Sequence, residues 1–161
     1  MIHVIKNYGV PEIKQSILYL LDKAAKSYEV RQHALEITAD HQDKIGAVYD
    51  WVKRTISYVP DPIGANGNEI ELFISPVRMV DDFNRGLKPG GDCDDHALLS
   101  TALYRALGIQ SNVVLMNSTG MGLDHAYCKV YSEILGRWIT ADTTGNVPLG
   151  WEYPSTQEIT V

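Results

Sequence analysis

The stretch Gly90-Gly91-Asp92-Cys93-Asp94-Asp95-His96-Ala97, running on through Leu98-Leu99-Ser100-Thr101-Ala102-Leu103-Tyr104-Arg105-Ala106-Leu107-Gly108, decides how this chain is read. Leu98, Leu99, Ala102, Leu103, Ala106 and Leu107 keep helical period, and Gly108 stands where a helix stops. The predicted helix starts at Cys93, and the two glycines ahead of it leave the backbone free to bend sharply. A cysteine in a first helical turn meets unpaired amide hydrogens and the positive end of the helix dipole, which favour a thiolate. Its own amide can donate to an oxyanion forming beside the sulfur. Asp92, Asp94 and Asp95 act against this, because negative charge beside the sulfur disfavours more of it. A cationic histidine has to compensate.

Downstream of that helix the period changes. Val113 to Met116 reads as a buried strand, His125 to Tyr131 as a second and Arg137 to Asp142 as a third, with Leu135-Gly136 as a hairpin centre. A cysteine nucleophile needs a base, and the base needs an orienting group. His125 and Asp142 meet that need, since both fall toward the same end of the predicted hairpin. Counted from Leu135-Gly136 the two positions are out of step by roughly three residues, up to about 10 Å along a strand. A bulge or a slightly displaced turn closes that gap. Strand alternation puts Cys128 with Ala126 and Val130, opposite His125, as a structural core thiol.

Upstream, the chain reads as helical. Pro11 opens a helix over 11–26 with Ile13, Ile17, Leu20, Leu21 and Ala24 on one face. A weaker helical stretch runs from Glu29 to Ala39. Asp40 or Asp43 caps a third helix whose core face is Ile45, Val48, Tyr49, Val52 and Ile56. Pro60-Asp61-Pro62 with Gly64, Asn66, Gly67 and Asn68 forms a turn-rich surface loop. A short helix over Val77–Asn84 follows Ser75-Pro76. Helices followed by an antiparallel sheet define an α+β domain.

Composition narrows the function. The 161 residues are 45% apolar and 21% charged, with 2 cysteines, so a real core forms without disulfides or a structural metal. A net charge of -6 opposes binding to nucleic acid. The apolar runs are far shorter than the roughly 20 residues of a membrane span, and the N-terminus carries no signal-peptide pattern, so a cytoplasmic protein with free thiols is expected. Asp92, Asp94 and Asp95 read as cap and first-turn acids that complement the helix dipole. They are set aside as metal ligands, because consecutive residues at a helix start point in different directions and paired Cys or His spacing is absent. No metal and no cofactor are expected. His3, His33, His41 and His96 have no partner motif and read as surface or core histidines, and Trp151 and Tyr153 can dock a C-terminal tail.

Four segments together carry a family resemblance: Gly91-Asp92-Cys93-Asp94-Asp95-His96-Ala97, Leu103-Tyr104-Arg105-Ala106-Leu107-Gly108-Ile109, His125-Ala126-Tyr127-Cys128-Lys129-Val130-Tyr131 and Trp138-Ile139-Thr140-Ala141-Asp142-Thr143-Thr144. With Val48-Tyr49-Asp50-Trp51-Val52, Tyr58-Val59-Pro60-Asp61 and Ser75-Pro76 upstream, residues 44–144 resemble the transglutaminase-like superfamily. The resemblance implies a papain-like fold with Cys93 as nucleophile, His125 as base and Asp142 as its orienting group. Tyr58 and Asp92 are candidates for contact with substrate or oxyanion. Residues 1–43 are then a helical N-terminal extension and 145–161 a C-terminal tail to a single domain. Animal transglutaminases usually have Trp after the cysteine and bind calcium through further domains. Here Asp94 follows Cys93, and the Asp-Cys-Asp-Asp form resembles the bacterial and phage branch, whose members include predicted cysteine peptidases. The expected activity is a cysteine peptidase or amide hydrolase on a peptide or protein substrate, working through a thioester. The alternatives are protein-glutamine amine transfer or deamidation and, in another class, a non-catalytic assembly module of a phage particle.

Overall fold

Helix α5 (Cys93–Ala106) lies at the centre of the molecule, with every residue from Asp94 to Tyr104 buried. The computed structural model describes residues 2–5, 9–67, 70–117, 122–154 and 157–161. Four helices pack on α5: α1 (Val10–Ala25), α2 (Tyr28–Thr38), α3 (Lys44–Thr55) and α4 (Pro76–Asn84). Strands β5 (Ser111–Asn117) and β6 (His125–Ser132) also pack on it. A helix enclosed in this way must be apolar or hydrogen-bonded all round, not along one stripe. Leu98, Leu99 and Leu103 supply the apolar part, while Tyr104 sends its hydroxyl to the Ile45 carbonyl at 2.9 Å. The helix ends as its sequence predicts, with Gly108 at φ +76°, a value that costs a glycine little.

The surrounding helices follow their sequence signals closely. Ser27 caps α2, Asp43 caps α3 through the Gly46 amide at 2.9 Å, and Ser75 caps α4 ahead of Pro76. Each cap contributes roughly 1 kcal/mol. The apolar faces of α1 and α3 meet in one core through Ile17, Leu20, Val48 and Val52.

The main sheet is four-stranded and antiparallel in the order β7 (Arg137–Ala141), β6, β5, β8 (Gln157–Thr160). One face, with Val113, Leu115, Ala126, Cys128 and Val130, joins the helical core. The other carries Val114, Met116 and Tyr127, covered by Tyr153 from the C-terminal segment. Strand β8 pairs with β5 and so turns the far end of the chain into a sheet edge, an element that sequence periodicity did not mark.

Two small pairings were also unmarked. Strand β1 (Ile2–Ile5) runs antiparallel to β3 (Glu71–Ile74), and β2 (Ser57–Tyr58) runs parallel to β4 (Gly90–Gly91). The second corrects the reason given for the two glycines. Neither has a positive φ, so sharp bending is not their role. A Cβ on Gly90 would lie 2.8 Å from the Val59 side chain and 3.0 Å from the Ser57 carbonyl, and one on Gly91 would meet the Asp95 side chain within 2.5 Å. Glycine is needed because β2 and α5 approach too closely for any side chain. The loop after α3 is irregular and largely exposed over residues 59–67, as expected, and Asn68 lies outside the described residues.

Candidate active site

Three elements bring the predicted site together. Cys93 opens α5, half-buried, with Asp92 as the N-cap residue accepting from the Asp94 amide at 3.2 Å. As the first helical residue, Cys93 has an amide with no partner inside the helix. His125 opens β6, and Asp142 follows directly on β7. The hairpin is tied by Ser132 opposite Arg137, so its loop is Glu133–Gly136 and its centre lies slightly ahead of Leu135-Gly136. That displacement carries Asp142 to a position opposite Tyr127, two residues along the same face from His125. Side chains reach across such a diagonal, and His125 Nε2 lies 2.7 Å from Asp142 Oδ2 without any bulge.

The His125 ring bridges two partners. Nε2 faces Asp142, which leaves Nδ1 for Cys93. Burial disfavours the imidazolium, but hydrogen bonds to Asp142 and Cys93 and the charges of both outweigh it, raising the His125 pKa to about 10. Burial pushes Asp142 the other way. Hydrogen bonds from His125, from Tyr153 and from the Thr144 amide overcome this and hold its carboxyl well below the usual carboxylate range. The arrangement is a carboxylate, an imidazolium and a thiol in series.

Asp142 is heavily furnished for one carboxylate. Oδ1 accepts from the Thr144 amide at 2.9 Å and the Thr144 hydroxyl at 2.8 Å, while Oδ2 takes both His125 and the Tyr153 hydroxyl at 2.5 Å. Tyr153 also sets its ring edge-on to His125, with centroids 5.7 Å apart. The segment that brings it is moored by Tyr49 and Lys53 of α3, which donate to the Val147 carbonyl at 2.6 and 2.9 Å. Tyr153 therefore sits behind the histidine, and no residue after Asp142 lines the cleft among the described residues. Trp151 remains half exposed.

Cys93 and His125 face an open cleft of about 310 Å³. Tyr58 of β2 stands in its wall, 57% exposed, and its phenol pKa is raised by burial and by the charges of Cys93 and Asp92. Asp92 and Asp94 line it as well. Asp61, Glu71 and Asp124 complete an acidic rim that sequence reasoning did not place there. Asp124 had a signal in its position beside His125, whereas Asp61 and Glu71 are far away in sequence and had none.

The first turn of α5 departs from expectation. Asp92, Asp94 and Asp95 were expected to diverge, yet one carboxylate oxygen of each lies within 4.8 Å of the others. The Asp94 carboxyl lies against those of Glu71 and Asp92, and burial with these neighbours raises its pKa well above the ordinary value. Asp95 accepts from the Ile74 amide at 2.6 Å, but burial still lifts its carboxyl to about 8. His96 is a core residue: its Nδ1 lies 2.9 Å from the Thr143 hydroxyl oxygen, and burial lowers its pKa. His33 is likewise buried, edge-on to Trp51 and Phe83.

The family model described as the transglutaminase-like superfamily matches residues 28–143. The chain belongs to this superfamily, a family of cysteine enzymes. The match begins earlier than the motifs by themselves indicate, at the start of α2. Among solved structures, a candidate cysteine protease from Cytophaga hutchinsonii is similar over 98% of this chain and 53% of its own, with 21% identity and a TM-score of 0.58. A candidate protease from Parabacteroides distasonis is similar over 78% of this chain and 26% of its own, with 20% identity and a TM-score of 0.55. These likenesses establish a shared transglutaminase-like, papain-type α+β fold, and the chain spans about half the length of the first and a quarter of the second. No curated protein matches the sequence significantly. No described helix is long and apolar enough to cross a membrane.

Proposed function

We propose that this chain is a cysteine-dependent amide hydrolase acting on peptides or proteins, with Cys93 as nucleophile, His125 as general base and acid, and Asp142 as the group that orients the imidazole. The observation that carries the reading is the His125 ring held between Asp142 and Cys93 at the wall of an open cleft. A thiolate paired with an imidazolium attacks without waiting for a separate proton transfer.

The sulfur adds to the substrate carbonyl, and the Cys93 amide at the start of α5 donates to the resulting oxyanion. His125 gives its proton to the leaving amine as the C–N bond breaks, which leaves a thioester on Cys93. Neutral His125 then takes a proton from water, the hydroxide oxygen adds to the thioester, and the thiolate leaves with the acid product released. Asp142 keeps its charge throughout and stabilises the imidazolium. A cleft open to solvent admits water as the second nucleophile and so favours hydrolysis over amine transfer.

The test is iodoacetamide labelling of Cys93 between pH 5 and 10, read by peptide mass spectrometry. In the native protein Cys93 should alkylate well below pH 8. His125→Ala should slow labelling at pH 6 by about 10²-fold. Equal labelling rates in the two proteins at pH 6 would refute the ion pair and leave a non-catalytic role as the better reading.

A further inference from the structure

The cleft beside Cys93 has a wall of unusual charge. Asp92 and Asp94 flank the cysteine in sequence and line the cleft, Glu71 reaches Asp94 from β3, and Asp61 and Asp124 stand further along the rim. The described lining residues include no lysine or arginine. Asp94 is 94% buried and one of its oxygens, Oδ1, has no hydrogen-bond partner, although the residue lines the cleft. Its other contacts are two further carboxyl groups, Glu71 and Asp92. Such a group of acids is stable only with protons or a cation among them.

The wall also has structural support of its own. Asp61 accepts from the Leu72 amide at 2.6 Å and Asp95 from the Ile74 amide at 2.6 Å, so the β3 backbone ties the loop before it and the start of α5 into one surface. The acids are therefore held in place on ordered backbone and are not a solvated run of charge. Carboxylates fixed in this way recognise guanidinium and ammonium groups through charge-assisted hydrogen bonds, and an acidic cleft concentrates cationic ligands at its mouth.

We propose that the cleft selects substrates with a basic side chain, lysine or arginine, beside the amide under attack, received by Asp92, Asp94 and Glu71. The proposal rests on Cys93 being the nucleophile and adds the class of substrate that reaches it. A basic side chain lying along the wall brings positive charge beside Asp92, Asp94 and Glu71, a wall of acids with no lysine or arginine among its described lining residues. A neutral side chain leaves the negative charge of the wall uncompensated, and an acidic one adds repulsion.

The experiment uses two peptidyl acyloxymethyl ketones identical except for lysine or norleucine beside the reactive ketone. In each the cysteine sulfur forms a thioether as the carboxylate leaves, and intact-mass spectrometry with EDTA present follows labelling of Cys93. The lysine probe should label at least about tenfold faster than the norleucine probe. That ratio should fall toward one in Glu71→Gln and in Asp94→Asn. Equal rates in the native protein overturn the proposal, as does a lysine preference that survives in both variants. Labelling that requires added calcium and is abolished by EDTA assigns the carboxylates to a metal ion instead and also overturns it. Failure of Cys93 to react with iodoacetamide would overturn the proposed function itself, a result distinct from reaction without charge preference.

Discussion

Cys93 and Cys128 are the same residue in two surroundings. Cys128 sits in the middle of β6, fully buried among Ala126, Val130 and the apolar face of α5, and burial pushes its thiol up to about 12 despite the Arg105 charge. Cys93 sits at the start of α5, half-buried, against an imidazolium and an open cleft. The two regions show that reactivity here is a property of position. Apolar packing makes one thiol a small core residue, and a helix start with a paired histidine makes the other a candidate nucleophile.

The largest expected effect is exchange of each cysteine in turn. Cys93→Ala should abolish amide hydrolysis, by about 10⁴-fold or more, with little change in thermal stability. Cys128→Ala should leave turnover within a few-fold of the native value but cost roughly 1–2 kcal/mol from the cavity it opens. Assays of peptide hydrolysis and thermal melts on both variants measure this. If Cys128→Ala removes activity while the protein stays folded, the contrast between the two sites fails.

The acids around Cys93 should appear in stability against pH. Asp95 has a folded pKa of about 8, above the ordinary 3.8, so the folded state holds more protons than the unfolded state between these values. Stability therefore falls as pH rises through that window. His125, raised to about 10, adds a loss of the same sign from its ordinary 6.5 upward, because its stabilisation requires the proton. Thermal melts should show a midpoint several degrees lower at pH 8 than at pH 5, and Asp95→Asn should flatten the part of that slope below pH 8. A slope unchanged in Asp95→Asn would show that this carboxyl is ionised throughout.

A smaller effect is expected at Tyr153. Removing its hydroxyl in Tyr153→Phe takes one donor from Asp142 Oδ2 while leaving His125 and Thr144 in place. The carboxylate becomes more basic and a stronger acceptor for the imidazolium, which then holds its proton more tightly, so the high-pH limb of kcat should move up by a few tenths of a pH unit with KM unchanged. Turnover should drop about threefold to tenfold. An identical pH profile would confine Tyr153 to packing.

Much of the fold was legible in local pattern. The helices over 11–26, Glu29–Ala39, Val77–Asn84 and from Cys93 to Gly108 lie within a residue or two of the observed elements, because their apolar periodicity, caps and stop glycine act over one or two turns. The strands around His125 and Arg137 were equally readable. Strands β1, β2, β4 and β8 were not, since two to four residues carry no periodicity and form only when a distant partner is present. The glycines at 90 and 91 were visible as glycines, but their cause, the close approach of β2 and Asp95, is tertiary.

The order of chemical groups in the site belongs to the sequence by itself: a cysteine at a helix start, then a histidine and an aspartate on paired strands, each placed by short-range pattern. The register that joins His125 to Asp142 was decided only in the folded hairpin, where a turn displaced by one residue brings the two side chains to a diagonal across paired strands. The charge of the cleft was likewise decided by folding, because Asp61, Glu71 and Asp94 come from separate segments and share a wall only when β3 docks on α5. Helical periodicity and capping are local interactions and can be read along the chain. Electrostatic fields and cross-strand contacts add up through space, so their effect at Cys93 follows from the fold.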